Sequence, residues 1–183
     1  MLDVLDQSLR STLPPILKDR SKWDSLIVNR RKPHTYRVFT TLPDGNRICL
    51  HRFNPCDTHE AFQHPHPWPG AFMVMEGAYK MTVKLAKDRQ DHNPAPVMNV
   101  ILRKWSGYEI TEPMTFHGVI PLAVTHTVMI NAEPWPADVA HEAVRRTGGK
   151  DLDRMPEEEL LAHLELFQRL VEEYGQGAVR ETL

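Results

Sequence analysis

The chain predicts a mainly β fold, a barrel or two-sheet sandwich with helical segments at both ends, and three observations lead to it. Between about residues 33 and 135, short runs of alternating apolar and polar side chains succeed one another, with glycine and proline at their junctions. On either side of that stretch the apolar residues recur at helical spacing instead. With 183 residues, 41% of them hydrophobic and 25% charged, the chain is long enough to bury one core without disulfide staples. We therefore expect a single domain made of an N-terminal helical arm over 1–32, a β unit over 33–135 and a C-terminal helical extension over 136–183.

Val4, Leu5, Leu9, Leu13 and Leu17 approximate a helical stripe that Pro14-Pro15 interrupts, so a short helix, a break and a second short helix are expected up to about Asn29. The basic run Arg30-Arg31-Lys32 reads as a solvated turn. Tyr36–Thr40 and Arg47–Phe53 are strand candidates joined by Pro43-Asp44-Gly45-Asn46, whose Asp-Gly suits a hairpin turn. Alternation puts Cys49, His51 and Phe53 on one face of the second strand and Ile48, Leu50 and Arg52 on the other. A register slip of one residue would exchange the two sets.

Further along, Phe72–Met75 turns at Glu76-Gly77 and returns as Ala78–Lys84, and a polar loop over Asp88–Pro96 leads into Met98–Trp105. Tyr108–Ile110, Thr115–Ile120 and Thr125–Ile130 complete about eight short strands. After Pro156, Glu157-Glu158-Glu159 suit the positive end of a helix. Leu160, Leu161, Leu164, Phe167, Leu170, Val171 and Tyr174 form its apolar face, and Gly175 is placed to end it. That helix is expected to dock on the β unit or in a homodimer.

Composition narrows the function classes. A formal charge of −2 argues against a broad surface for nucleic acid or anionic lipid, and no stretch is long and apolar enough to cross a bilayer. Acids at Asp3 and Asp6, where a secretory signal carries positive charge, make the cytoplasm the expected compartment. Cys49 and Cys56 have no metal-binding or disulfide spacing and read as free thiols, the alternative being that one of them faces a metal cavity.

The chemistry-bearing stretch is Gln63-His64-Pro65-His66-Pro67-Trp68. Two histidines one residue apart on an extended backbone lie on the same side, with Cα atoms about 6 to 7 Å apart, so both rings can reach one metal ion. His-x-His alone is a weak signal, since histidine is also an ordinary half-buried residue. A third ligand and a cavity must come from elsewhere in the chain.

His64 and His66, the apolar run that ends in the Glu76-Gly77 turn, and then Gly107, Pro113 and His117 resemble the two motifs of the cupin superfamily. His-x-His-Pro-Trp preceded by Leu50-His51-Arg52-Phe53 looks more narrowly like a little-characterised cupin subgroup. The likeness covers roughly residues 36 to 131 and departs from the pattern in three places. Gly70 stands where the family usually has a glutamate, Thr115 stands where a glycine is common, and His117 comes one residue early.

The resemblance implies a jelly-roll barrel with one divalent metal on His64, His66 and His117, Fe(II) favoured and Zn, Ni or Mn as alternatives. It also implies a dioxygenase acting on a small organic molecule, because three-histidine cupins include such enzymes. His51 and His126 are candidates for a catalytic proton donor, base or fourth ligand, provided that each faces inward. Gln63, Trp68 and Tyr79 are candidates for a cavity mouth, and Glu76 for a turn. Two further readings compete. One is a metal-dependent isomerase with His51 as base. The other is a non-catalytic module that binds a small molecule or dimerises, in a barrel whose histidines have lost their metal.

Overall fold

A computed structural model of the chain describes residues 1–143 and 152–177, so the parts of the expected C-terminal extension at 144–151 and 178–183 lie outside the described residues. Among the described residues ten strands form two sheets. They are β1 (Asp24–Val28), β2 (Thr35–Thr41), β3 (Arg47–Phe53), β4 (Gln63–Pro65), β5 (Gly70–Glu76), β6 (Ala78–Leu85), β7 (Pro96–Arg103), β8 (Gly107–Ile110), β9 (Thr115–Pro121) and β10 (Thr125–Asn131). The six-stranded sheet runs β1-β2-β3-β10-β5-β8 and the four-stranded sheet β4-β9-β6-β7, with every named pair antiparallel. Side chains of both sheets meet across one shared cavity.

Local chemistry accounts for the turns. Gly45 takes φ +86° between β2 and β3, and the Asp44 carboxylate accepts the Asn46 N–H at 3.0 Å. Gly77 takes φ +81° between β5 and β6, and a Cβ there would lie 2.6 Å from the Val124 carbonyl oxygen, so no other residue fits.

The large dry core lies outside the sandwich. Val38, Ile48, Leu50, Ala71, Met73, Met75, Val128 and Ile130, on the outer face of the six-stranded sheet, pack under a helical layer. That layer supplies Leu5, Leu9, Leu13, Ile16 and Leu17 from the N-terminal arm and Leu160, Leu164, Phe167, Leu170 and Val171 from a C-terminal helix over Glu157–Gly177. Between the sheets the apolar clusters are smaller: Val74, Tyr79, Met81, Leu102 and Val119 in one, Cys49, Phe72, Ile110 and Met129 in the other.

Four expectations change. The arm does not break at Pro14-Pro15. Helix α1 (Leu2–Gln7) continues through a π-helical segment (Ser8–Thr12) into α2 (Leu13–Leu17), and the wider π turn accommodates prolines that lack the N–H an α turn would use. The arm also contains β1, which pairs with β2 from Asp24↔Phe39 to Val28↔Thr35 at the sheet edge. On the C-terminal helix, which we label α3, Leu161 faces solvent and His163 takes a place in the buried stripe. Finally, α3 runs through Gly175 to Gly177. No helix among the described residues is long and apolar enough to cross a membrane.

Candidate metal centre

Backbone register brings the distant histidines together. β4 lies antiparallel on β9 with His64 directly opposite His117, and His66 follows two residues on, on the same face. Gly118 makes the close approach possible, because a Cβ there would come within 2.7 Å of Gln63 Cγ on β4. Ring centroids stand 4.9 Å apart for His64–His117, 5.1 Å for His64–His66 and 4.7 Å for His66–His117. One nitrogen from each ring lies within 4.8 Å of the other two, and among the described residues this is the one such cluster of potential metal ligands.

The donor set suits a divalent ion. Burial presses all three imidazoles below their ordinary pKa, His64 to about 4 and His66 and His117 well below it, with the neighbouring rings acting in the same direction on His66 and His117. Each ring is therefore neutral near pH 7, the form in which imidazole ligates. His66 Nε2 and His117 Nε2 face each other at 2.7 Å, a little under the roughly 3 Å expected between two nitrogens sharing an ion at ordinary bond lengths. Slight parting of the rings would admit one. The buried Nδ1 atoms of His64 and His66 have no hydrogen-bond partner among the described residues, while His117 Nδ1 faces the Tyr108 hydroxyl at 3.4 Å.

Among the described residues no carboxylate joins the cluster. Gly70, at the position where a glutamate was expected by family pattern, opens β5 opposite Asn131 on β10 and, by alternation, shares the face of Phe72. The wall beside the histidines is aromatic instead. Phe72 and Tyr108 are stacked at 4.6 Å with planes 5° apart, and Phe72 lies 5.3 Å from His66 and 5.7 Å from His117.

The cavity before the cluster holds about 200 Å³. Thr35, Arg37, His51, Phe53, Thr127 and Met129 line it from the six-stranded sheet, and Tyr79 and Val119 from the other. Exposed Arg31 and half-exposed Phe62 mark its open end, where the Arg31 guanidinium lies 4.0 Å over the Phe62 ring and that ring stacks on His64 at 5.1 Å.

The second-rank candidates separate. His51 faces the cavity, buried, with its pKa lowered well below the ordinary value by burial and then by the Arg37 charge. Its Nε2 accepts the Arg37 Nε–H at 2.9 Å, and its Nδ1 is 3.4 Å from the Thr127 hydroxyl. His126 does not meet the condition set for it. It shares a face of β10 with Val128 and Ile130, points under α3, holds the Glu76 carboxylate at 2.9 Å through Nδ1 and sits 5.9 Å from the Phe167 ring. Glu76 thus partners His126, besides flanking its turn. Tyr79 lines the cavity; Gln63 and Trp68 do not, and neither does Cys49 or Cys56.

Sequence reasoning missed Arg37, Phe72, Tyr108 and Thr127 as cavity residues. The available signal was alternation, since Arg37 pairs directly with His51 across β2 and β3.

No family model matches the chain, and no curated protein matches it. Solved structures do. The hydroxypropylphosphonic acid epoxidase from S. wedmorenis aligns at a TM-score of 0.46 and 11% identity over 59% of this chain and 55% of that one. The Fe(II) form of HppE with the alternative substrate (S)-1-HPP aligns at 0.46 and 14% over 61% and 57%. A protein of unknown function from Acinetobacter sp. ADP1 aligns at 0.41 and 11% over 59% and 94%. The chain spans a little over half the length of the epoxidase chains. At these scores no residue role is carried across.

Proposed function

We propose that the chain is a metal-dependent enzyme of the cupin type, a dioxygenase acting on a small organic molecule, with one divalent ion, Fe(II), on His64, His66 and His117. The observation that carries this reading is the meeting of three neutral imidazoles, His66 and His117 buried and His64 partly so, on the wall of one cavity. When bound, Fe(II) in an all-nitrogen site with open positions supplies the place where O2 and an organic substrate are activated.

The chain's own residues supply the surroundings. The Phe72–Tyr108 stack covers one side of His66 and His117 and keeps water from it. The Tyr108 hydroxyl faces His117 Nδ1, and by accepting the Nδ1–H its oxygen would hold the tautomer whose Nε2 lone pair is free for the metal. A cavity of about 200 Å³ admits a substrate smaller than the drug-sized ligands of larger pockets.

The isomerase reading requires a base, and its candidate is unsuited to the task. The His51 Nε2 lone pair already receives the Arg37 proton donor, and burial opposes its protonation. One observation favours a non-catalytic binding module, namely that a 2.7 Å contact between His66 and His117 nitrogens is also how two metal-free rings share a proton. Dimerisation through the helical ends has less support, because their apolar faces are occupied by the chain's own sheet.

Crystals grown from protein purified without chelator, measured at the absorption edges of iron, manganese, nickel and zinc, test the proposal. It expects an iron peak within ligand distance of the three rings. No peak at any edge, together with a ligand-induced melting shift that survives His66→Ala, would leave the binding module.

A further inference from the structure

We propose that the substrate is a small organic carboxylate, and that its acid group pairs with Arg37 while its reacting end faces the three histidines. This deepens the metal reading and rests on it for the second contact; the Arg37 contact stands on separate observations. Arg37, partly buried, projects from β2 into the cavity and is among its lining residues. Among the described residues no aspartate or glutamate lines that cavity, and no carboxylate pairs with the guanidinium. A guanidinium stays charged at any pH the protein meets, so an enclosed one without a counter-charge is costly until an anion arrives.

The geometry aims the residue. His51, directly opposite on β3, accepts the Nε–H at 2.9 Å, which leaves the two terminal nitrogens as the free edge of the fork. Thr127, opposite His51 on β10, faces the other ring nitrogen at 3.4 Å. Three adjacent strands thus build a Thr127–His51–Arg37 row whose end is a planar, bidentate donor suited to carboxylate. In this arrangement His51 is a positioning residue. Charge points the same way: a divalent ion on three neutral imidazoles beside one guanidinium leaves the protein's contribution to the cavity wholly cationic. One partly buried guanidinium matches a monoanion better than a phosphate dianion, which demands more donors. At the open end Arg31 lines the entry, whereas the Lys32 ammonium is already paired with Glu60 at 2.5 Å.

Calorimetric titration of acetate and benzoate against acetamide and benzamide tests this, with inorganic phosphate as a further arm, on metal-loaded and chelator-stripped full-length protein. The acids are expected to bind both forms, with the matching amides at least about tenfold weaker. Arg37→Gln should lose at least about tenfold of the acid affinity, Arg37→Lys should restore part of it, and His51→Phe should weaken acids while leaving amides unchanged. Equal binding of acid and amide by the wild-type protein, no acid binding at all, or tighter binding of phosphate would overturn the proposal without any variant having to fold. Acid binding that depends on Arg37 in protein unable to hold metal would leave this inference standing while the metal reading failed. Metal bound by the three histidines with acids indifferent to Arg37 would do the reverse.

Discussion

The two faces of the six-stranded sheet follow opposite rules. Its outer face carries Val38, Ile48, Leu50, Val128 and Ile130 and is sealed by helices, while its inner face carries Arg37, His51 and Thr127 and looks into a cavity. A sandwich ordinarily places its apolar side chains between the sheets and its polar ones outside. Here a helical layer keeps the outer face dry, so the stability of the sheet does not depend on filling the space between the sheets. That space is then available to hold neutral imidazoles and a guanidinium. The lesson is a division of labour: the helical side holds the fold and the inter-sheet side holds the chemistry.

Truncating the helical side gives the largest expected effect. Phe167→Ala should cost about 3–5 kcal/mol of unfolding free energy, because the ring is fully buried in the outer core, while the folded fraction keeps its metal affinity. Urea titration with parallel metal binding checks both, and a loss below about 1 kcal/mol would remove the helical layer from the core.

Acid should come next. His163 is held neutral under the sheet, its pKa lowered to about 4 chiefly by burial, with only the Leu50 carbonyl opposing. Its folded pKa lies below the unfolded value of about 6.5, so its contribution is complete above that value and is lost as pH falls from there through 4, on the order of 3 kcal/mol. Unfolding of chelated protein at pH 7 and pH 4 should show this loss on top of that from the buried cavity histidines, and His163→Leu should remove its share of about 3 kcal/mol; an unchanged slope in that variant would place the acid sensitivity elsewhere. The smallest effect is expected on the cavity side, where Tyr108→Phe removes the hydroxyl facing His117 Nδ1. We expect about tenfold weaker metal binding with stability nearly unchanged, read by chelator competition.

Much of this was legible in the chain. β3 was read with its bounds, Arg47–Phe53, because alternation and the Asp44-Gly45 turn are local signals. The pairing of His64 with His117 followed only from a motif resemblance, since local patterns carry no information about which distant strand lies beside β4. β1 was hidden because five residues of edge strand sit within an arm whose leucines repeat at helical spacing. His126 was ambiguous for a physical reason: alternation fixes which residues share a face and leaves open which face is the cavity. Arg37 was missed because a charged strand residue beside apolar neighbours is ordinarily read as facing water. In this fold the apolar neighbours Tyr36 and Val38 face the helices, and the arginine faces inward.

The most direct test sets a histidine of the cavity beside one of the helical side. The metal content of protein purified without chelator should be about one equivalent in the wild type, near zero in His117→Ala, and undiminished in His126→Ala, whose ring lies on the helical side of the six-stranded sheet, away from the cavity. Equal metal content in the two variants, or none in the wild type, would contradict a metal centre built on His64, His66 and His117.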